Sequence, residues 1–158
     1  MEEVDEFLFP RGTLAPDFTV EDVLGNSVTL SAFRGQIVIL DFWATWCYPC
    51  TQAMPHLQEV AYRYRKRGVV VLAVNVWDDL EILKQWMRHH PEYRDIRFAI
   101  DPEANKMDVA RTLYHAEGVP TQYVLRRDGT VYAGRVGYGD GVPAELEADI
   151  LALLDASN

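Results

Sequence analysis

The sequence predicts an α/β domain, with one mixed sheet covered by helices on both faces. Three observations carry that reading. Two apolar runs of strand length, Ile37 to Phe42 and Val69 to Val76, are nearly continuous and read as buried strands. Segments of helical periodicity alternate with strands through the middle of the chain. A β-hairpin and an amphipathic helix then close it. The chain has 158 residues, the size of a single domain, and no repeat or Gly-, Pro- or Ser-rich linker divides it.

Each element has a local reason. Asp17 to Val20 and Ser27 to Leu30 are β-prone runs around the turn signal Leu24-Gly25-Asn26, and they predict a hairpin. Ser31 to Gly35 reads as a short helical turn. After the first buried strand, Met54, Leu57, Val60, Ala61 and Tyr64 recur at helical spacing and predict a helix over Tyr48 to Arg67. Pro49 suits its first turn, where a missing N–H costs nothing. Pro55 lies further in and predicts a kink. Arg63, Arg65, Lys66 and Arg67 complement the dipole at its end, and Gly68 is the stop. The basic run is read as a solvated helix end. Beyond the second buried strand, Asp79 to His89 predicts a helix with Leu80, Leu83, Trp86 and Met87 inward. Arg97 to Ile100 reads as a short strand and Pro102 to Tyr114 as a third helix. Thr121 to Arg126 and Thr130 to Arg135 flank Arg127-Asp128-Gly129, an Asp-Gly hairpin turn. Val142 to Leu154 is the closing helix. Trp43, Trp77 and Trp86 are assigned to packing, and His89-His90 to a structural role.

Composition narrows the function. With 49% apolar and 25% charged residues, disorder and fibrous repeats are excluded. The longest aliphatic run, Val69 to Val74, falls far short of the ~20 residues of a membrane span. Asp and Glu number 24 against 15 Lys and Arg, a net charge of −9. Such a chain repels phosphates, so nucleic acid is not an expected partner. The first residues, MEEVDEFLFP, lack the basic and apolar regions of an export signal. Either the protein works in the cytoplasm, or a signal or anchor preceded this chain.

The two cysteines, Cys47 and Cys50, cannot staple a fold, yet they stand three residues apart where a strand gives way to a helix. At a helix N-terminus the free N–H groups and the dipole favour a thiolate. Thiols in such pairs have pKa values of ~3.5 to ~7.5 instead of ~8.5. Cys47 is expected to be exposed and to attack, with Cys50 shielded and resolving. Two other readings stay open. Half a zinc site would look alike, but zinc needs four ligands, and His56, His89, His90 and His115 are scattered. A structural disulfide closing so small a loop would add little stability.

Asp41 to Cys50, in the order Asp-Phe-Trp-Ala-Thr-Trp-Cys-Tyr-Pro-Cys, resembles the active-site segment of thioredoxin-fold proteins. Pro55 matches their kinking proline, and Gly118-Val119-Pro120-Thr121 their cis-proline loop. Ala15-Pro16-Asp17-Phe18, Gly25, Leu30 and Phe33-Arg34-Gly35 are similar to the TlpA/ResA-like branch, as are Asp101-Pro102 and Arg127-Asp128-Gly129-Thr130. The resemblance covers about residues 12 to 155. It implies an N-terminal extension (1–11) and a thioredoxin-like domain (12–158), with an added N-terminal β-hairpin and a central helix/strand insertion.

The resemblance also implies a monomeric thiol–disulfide oxidoreductase. Its catalytic residues would be Cys47 and Cys50, and it would need no metal or organic cofactor. Its partners would be protein thiols and disulfides, for instance those of apocytochromes in cytochrome c biogenesis or in wider redox homeostasis. A membrane or soluble donor would re-reduce it. Its place would be extracytoplasmic, in the periplasm or tethered to a membrane.

Trp46, Tyr48, Pro49, Val119 and Pro120 would line the substrate groove. Asp41, at the end of a buried strand, is a carboxyl whose pKa burial should raise; it is assigned the proton transfer for Cys50. Ala53 stands where TlpA/ResA-like proteins often carry Glu, which leaves Asp41 to act alone. Two alternatives remain: a redox-inactive module that keeps the fold, and a peroxidase, because the N-terminal segment is shared with peroxiredoxins. The peroxidase reading lacks its threonine, since Ala44 lies three residues before Cys47. Copper-delivery relatives use a wider cysteine spacing and a downstream His.

Overall fold

The computed structural model describes residues 8–101 and 108–156. The two apolar runs form the centre of its sheet. β3 (Ile37–Trp43) and β4 (Val69–Val76) lie parallel, in register from Ile37↔Val69 to Trp43↔Asn75. Every residue of β3 is buried, which explains why the run shows no polar alternation. β5 (Arg97–Asp101) pairs parallel with β4. On the other side β6 (Thr121–Leu125) pairs antiparallel with β3, and β7 (Val131–Val136) antiparallel with β6. The predicted hairpin, β1 (Thr19–Glu21) and β2 (Ser27–Thr29), adds antiparallel to β5, so the order is β2-β1-β5-β4-β3-β6-β7. The mixed sheet and the hairpin are as expected.

Period-two alternation splits the core into two halves. Ile37, Ile39 and Trp43 face α1 (Tyr48–Arg63), α2 (Leu80–His89) and α4 (Val142–Ala156), which contribute Met54, Leu57, Leu83, Leu146 and Ile150. Val38, Leu40 and Phe42 face the other way, towards Phe18, Tyr114 and Tyr123 and the short α3 (Val109–Thr112). Each large side chain buried this way contributes ~1.5–3 kcal/mol. Trp43 is core, as predicted: it is fully buried against Trp86 and Phe98. The His90 ring lies tilted against Trp86, with centroids 4.3 Å apart.

Boundaries differ from expectation for local reasons. The Asp17 carboxylate accepts the N–H groups of Phe18 and Ser31, so the first strand starts only at Thr19. The long helix runs through Pro55 and ends at Arg63; Arg65–Arg67 form a 3-10 turn, closed by Gly68 in the left-handed region. Arg65, Lys66 and Arg67 are exposed, as a solvated end should be. Of the predicted third helix, residues 102–107 lie outside the described residues. The remainder is one turn, capped by Asp108, whose own φ of +44° does not belong to a helix.

Candidate active site

α1 begins at the top of β3, after the loop Ala44–Trp46. Cys47 is its N-cap, in extended conformation, and its Sγ accepts the N–H of Cys50 at 3.2 Å. Cys50 lies in the first turn. The two are joined by a disulfide, with Cα atoms 5.2 Å apart. Cys50 is wholly buried and Cys47 retains 5% exposure. The expected order of shielding holds, but Cys47 is less open than its position suggested. Its cap position turns it into the helix, and the Val119 carbonyl oxygen lies 3.5 Å from its Sγ. Its neighbours Trp46, Tyr48 and Pro49 are all exposed.

Val119-Pro120 is the cis peptide that the sequence indicated. The Thr121 hydroxyl donates to the Gly118 carbonyl at 2.7 Å, and the Gly137 N–H to the Pro120 carbonyl at 2.8 Å. These bonds tie the loop to the start of β6 and the end of β7. Cys47, Trp46, Tyr48 and Pro49 thus come from one loop and helix end, and Val119 and Pro120 from another.

A second set of residues holds the cysteine loop and was not singled out from the sequence. Asp78, nearly fully buried just beyond β4, accepts the Thr45 N–H at 2.8 Å, the Thr45 hydroxyl at 3.1 Å and the Asn75 amide at 3.0 Å. Trp77 adds a further tie, because its carbonyl accepts the Trp46 indole N–H at 3.3 Å. Trp77 is more than packing. It has φ +58°, its indole donates to Asp108 at 3.1 Å, and the Arg111 guanidinium lies 4.0 Å from its ring centre. The available signal was Asn75, a polar residue inside an otherwise apolar strand.

Asp41 lies at 1% exposure on β3. It shares the parity of Ile39 and Trp43, so it points to the face that α1 and α4 cover. Burial pushes its carboxyl up to about 8, and a side-chain hydrogen bond from Gln122 pulls it partly back. Its Oδ2 has no hydrogen-bond partner. Ala53 is buried in the same half of the core and brings no carboxylate there.

This arrangement can do thiol–disulfide chemistry. In the dithiol form the N-terminus of the 16-residue α1 favours a thiolate at its cap. The buried Cys50 is placed to close the disulfide from within. A carboxyl raised to about 8 is ionised in part near pH 7, so it can both take up and give a proton there. Among the described residues, no group of three or more His, Cys, Asp or Glu side chains could hold a metal ion.

The AhpC/TSA family matches residues 11–133. The thiol-disulfide oxidoreductase ResA of Geobacillus kaustophilus is 35% identical over 120 residues, which are 76% of this chain and 66% of that protein. ResA of Bacillus cereus is 30% identical over 127 residues, 80% of this chain and 69% of that protein. The chain therefore spans about two thirds of the length of the curated relatives it matches, and just under that for the Geobacillus protein. Among solved structures, one from Chlorobium tepidum described as a thiol:disulfide interchange protein DsbE superposes with a TM-score of 0.83 at 34% identity, covering 92% of this chain and 99% of that one. The thioredoxin domain of a thiol-disulfide oxidoreductase from Bacteroides vulgatus gives 0.76 at 25% identity, covering 89% and 97%. The mixed sheet with its hairpin and insertion is thereby a thioredoxin-like fold.

Proposed function

The chain belongs to the AhpC/TSA family, and from that premise we propose that it is a thiol–disulfide oxidoreductase acting on other proteins through Cys47 and Cys50. One observation carries the reading: the cysteine pair caps α1 and closes on itself beside the Val119 carbonyl. Similarity to ResA supports the reductive direction. In that direction the Cys47 thiolate attacks a substrate disulfide, and one substrate sulfur leaves as thiolate. The Cys50 thiol then passes its proton to ionised Asp41 and attacks Cys47 Sγ. The second substrate sulfur leaves, and two electrons have moved from the pair to the substrate. Trp46, Tyr48, Pro49, Val119 and Pro120 form the groove that receives the substrate.

The same reading places the protein outside the cytoplasm, with apocytochrome cysteines or similar extracytoplasmic disulfides as substrates and a membrane or soluble donor that restores the dithiol. Among the described residues no helix is long and apolar enough to cross a membrane. Peroxidase chemistry is not supported: Ala44, fully buried, occupies the position where that site needs a threonine.

Insulin reduction by dithiothreitol tests the proposal. Wild type should hasten the turbidity, Cys47→Ser should abolish the effect, and Cys50→Ser should accumulate mixed disulfides. No acceleration by wild type would mean a binding module that keeps the fold without the chemistry. Trapping by Cys47→Ser instead of Cys50→Ser would reverse the two roles.

A further inference from the structure

A row of side chains crosses the sheet beneath α1 and α4. Register pairs Ala73 with Asp41, Asp41 with Gln122, and Gln122 with Arg135. Ala73 offers nothing polar. On the other side the row is continuous. Gln122 stands directly opposite Asp41 in the register, and its side chain lowers the Asp41 carboxyl against the effect of burial. Arg135 Nη1 donates to Gln122 Oε1 at 2.8 Å. Arg135 Nη2 donates to the Asp149 carboxylate of α4, and Arg135 Nε lies 3.5 Å from Glu145 Oε1. Asp41 and Gln122 are buried, and the Arg135 side chain is only 13% exposed.

The donor inventory gives this row a direction. A guanidinium has donors and no acceptor. Whatever faces Arg135 must be an oxygen, so the Gln122 amide cannot flip, and its NH₂ is the group turned to Asp41. An amide NH₂ donates only. It stabilises an ionised carboxylate and gives nothing to the proton of a neutral acid. We propose that Gln122 and Arg135 are positioning residues for Asp41: Arg135, anchored on Asp149, locks the amide in the orientation that favours ionised Asp41. Together they set the pH at which that carboxyl exchanges its proton. Asp41 Oδ2, the oxygen without a partner, is left to hold the proton.

The effect on thiol exchange rests on the proposed role of Asp41 in deprotonating Cys50. Few other charges compete. From α1 and its N-cap this half of the core receives Cys47, Cys50, Ala53, Met54, Leu57, Val60 and Ala61, of which only the two cysteines titrate in the reduced protein. From α4 it receives Leu146, Ile150, Leu153 and Leu154. The remaining polar groups on these helices include His56, Glu59, Arg63 and Glu147, which contact one another. Glu145 and Asp149 are engaged by Arg135.

The test follows the Asp41 carboxyl by carbon NMR through a pH titration of the reduced protein, with Cys47 alkylation and insulin reduction measured over the same range. Gln122→Leu removes the donor and should raise the Asp41 midpoint by about one pH unit or more. Arg135→Met frees the amide and should raise it as well, whereas Arg135→Lys, which keeps a donor, should restore most of the shift. Far-ultraviolet dichroism and thermal unfolding confirm that each variant is folded. An unmoved midpoint in a folded Gln122→Leu protein overturns the proposal, as does an unmoved midpoint in folded Arg135→Met. A midpoint that moves while the pH profile of insulin reduction stays put upholds the positioning role and removes Asp41 from the exchange step.

Discussion

Two aspartates are buried close to the cysteine loop, and they are treated differently. Asp78 sits at 3% exposure and receives three donors, from the Thr45 backbone, the Thr45 hydroxyl and the Asn75 amide. Asp41 sits at 1% exposure with a single side-chain donor and an orphaned oxygen. Burying a carboxyl is costly unless hydrogen bonds replace its water. Asp78 recovers that cost by tying the loop after β4 to the loop that carries the cysteines. Asp41 does not recover it, and a carboxyl left short of donors is one that can take up and release a proton. Satisfaction marks the structural acid and deficiency the reactive one.

The largest expected effect breaks this pair apart on stability. The Asp41 carboxyl has its ordinary value of 3.8 when unfolded and about 8 when folded. Below pH ~4 it is protonated in both states and costs nothing. Between the two values the unfolded chain ionises and the folded one does not, so stability falls by ~1.4 kcal/mol per pH unit. Above about pH 8 both states are ionised and the loss is complete. Asp41→Asn cannot titrate. Its stability relative to wild type should therefore grow from pH 4 to pH 8, reaching several kcal/mol, while thiol exchange slows. Urea unfolding across that range reads it. A difference that does not vary with pH would mean that the Asp41 carboxyl is not held neutral in the fold.

Asp78→Ala should go the other way. It orphans the half-buried Thr45 N–H and the buried Asn75 amide, each worth up to ~1–3 kcal/mol. Stability should drop by about 2 kcal/mol or more, and the cysteine loop should loosen with it. Denaturant unfolding, together with protease sensitivity near Thr45, measures both. A neutral Asp78→Ala would dissolve the contrast, because Asp78 would then hold nothing that matters.

These aspartates also mark how far the sequence could be read. Cys47 and Cys50 were legible because their meaning lies in a short local spacing, and the Val119-Pro120 peptide through the resemblance of its loop to that of thioredoxin-fold proteins. Asp41 was legible because it interrupts a strand with no other polar residue. Asp78 follows a strand, where a loop aspartate is ordinary, and its partner Thr45 is 33 residues away. Gln122 and Arg135 sit in strands that read as plain β-sequence. Their connection appears only when register sets them in one row with Asp41. The mixed sheet was legible from the alternation of strands and helices along the chain, whereas the strand order and the two halves of the core appear only in the structure. The described part of the third helix is a single turn, because Asp108 and His115 adopt left-handed backbone on either side of it, and side-chain periodicity carries no information about that.

The smallest effect on stability sharpens the structural side of the comparison. Trp46 is 63% exposed and is held by one indole hydrogen bond to the Trp77 carbonyl, next to Asp78 in the chain. An exposed aromatic with one such bond contributes little to folding, so Trp46→Ala should change stability by less than ~1 kcal/mol. Its effect on function should depend on the substrate. If Trp46 is contact surface for a protein partner, insulin reduction should slow several-fold while reduction of a small aromatic disulfide is unchanged. If the indole instead helps Asp78 keep Cys47 in place, both reactions should slow together. Measuring the two rates side by side separates a residue that meets the partner from one that steadies the loop, because a small disulfide reaches the sulfur without crossing the surface around it.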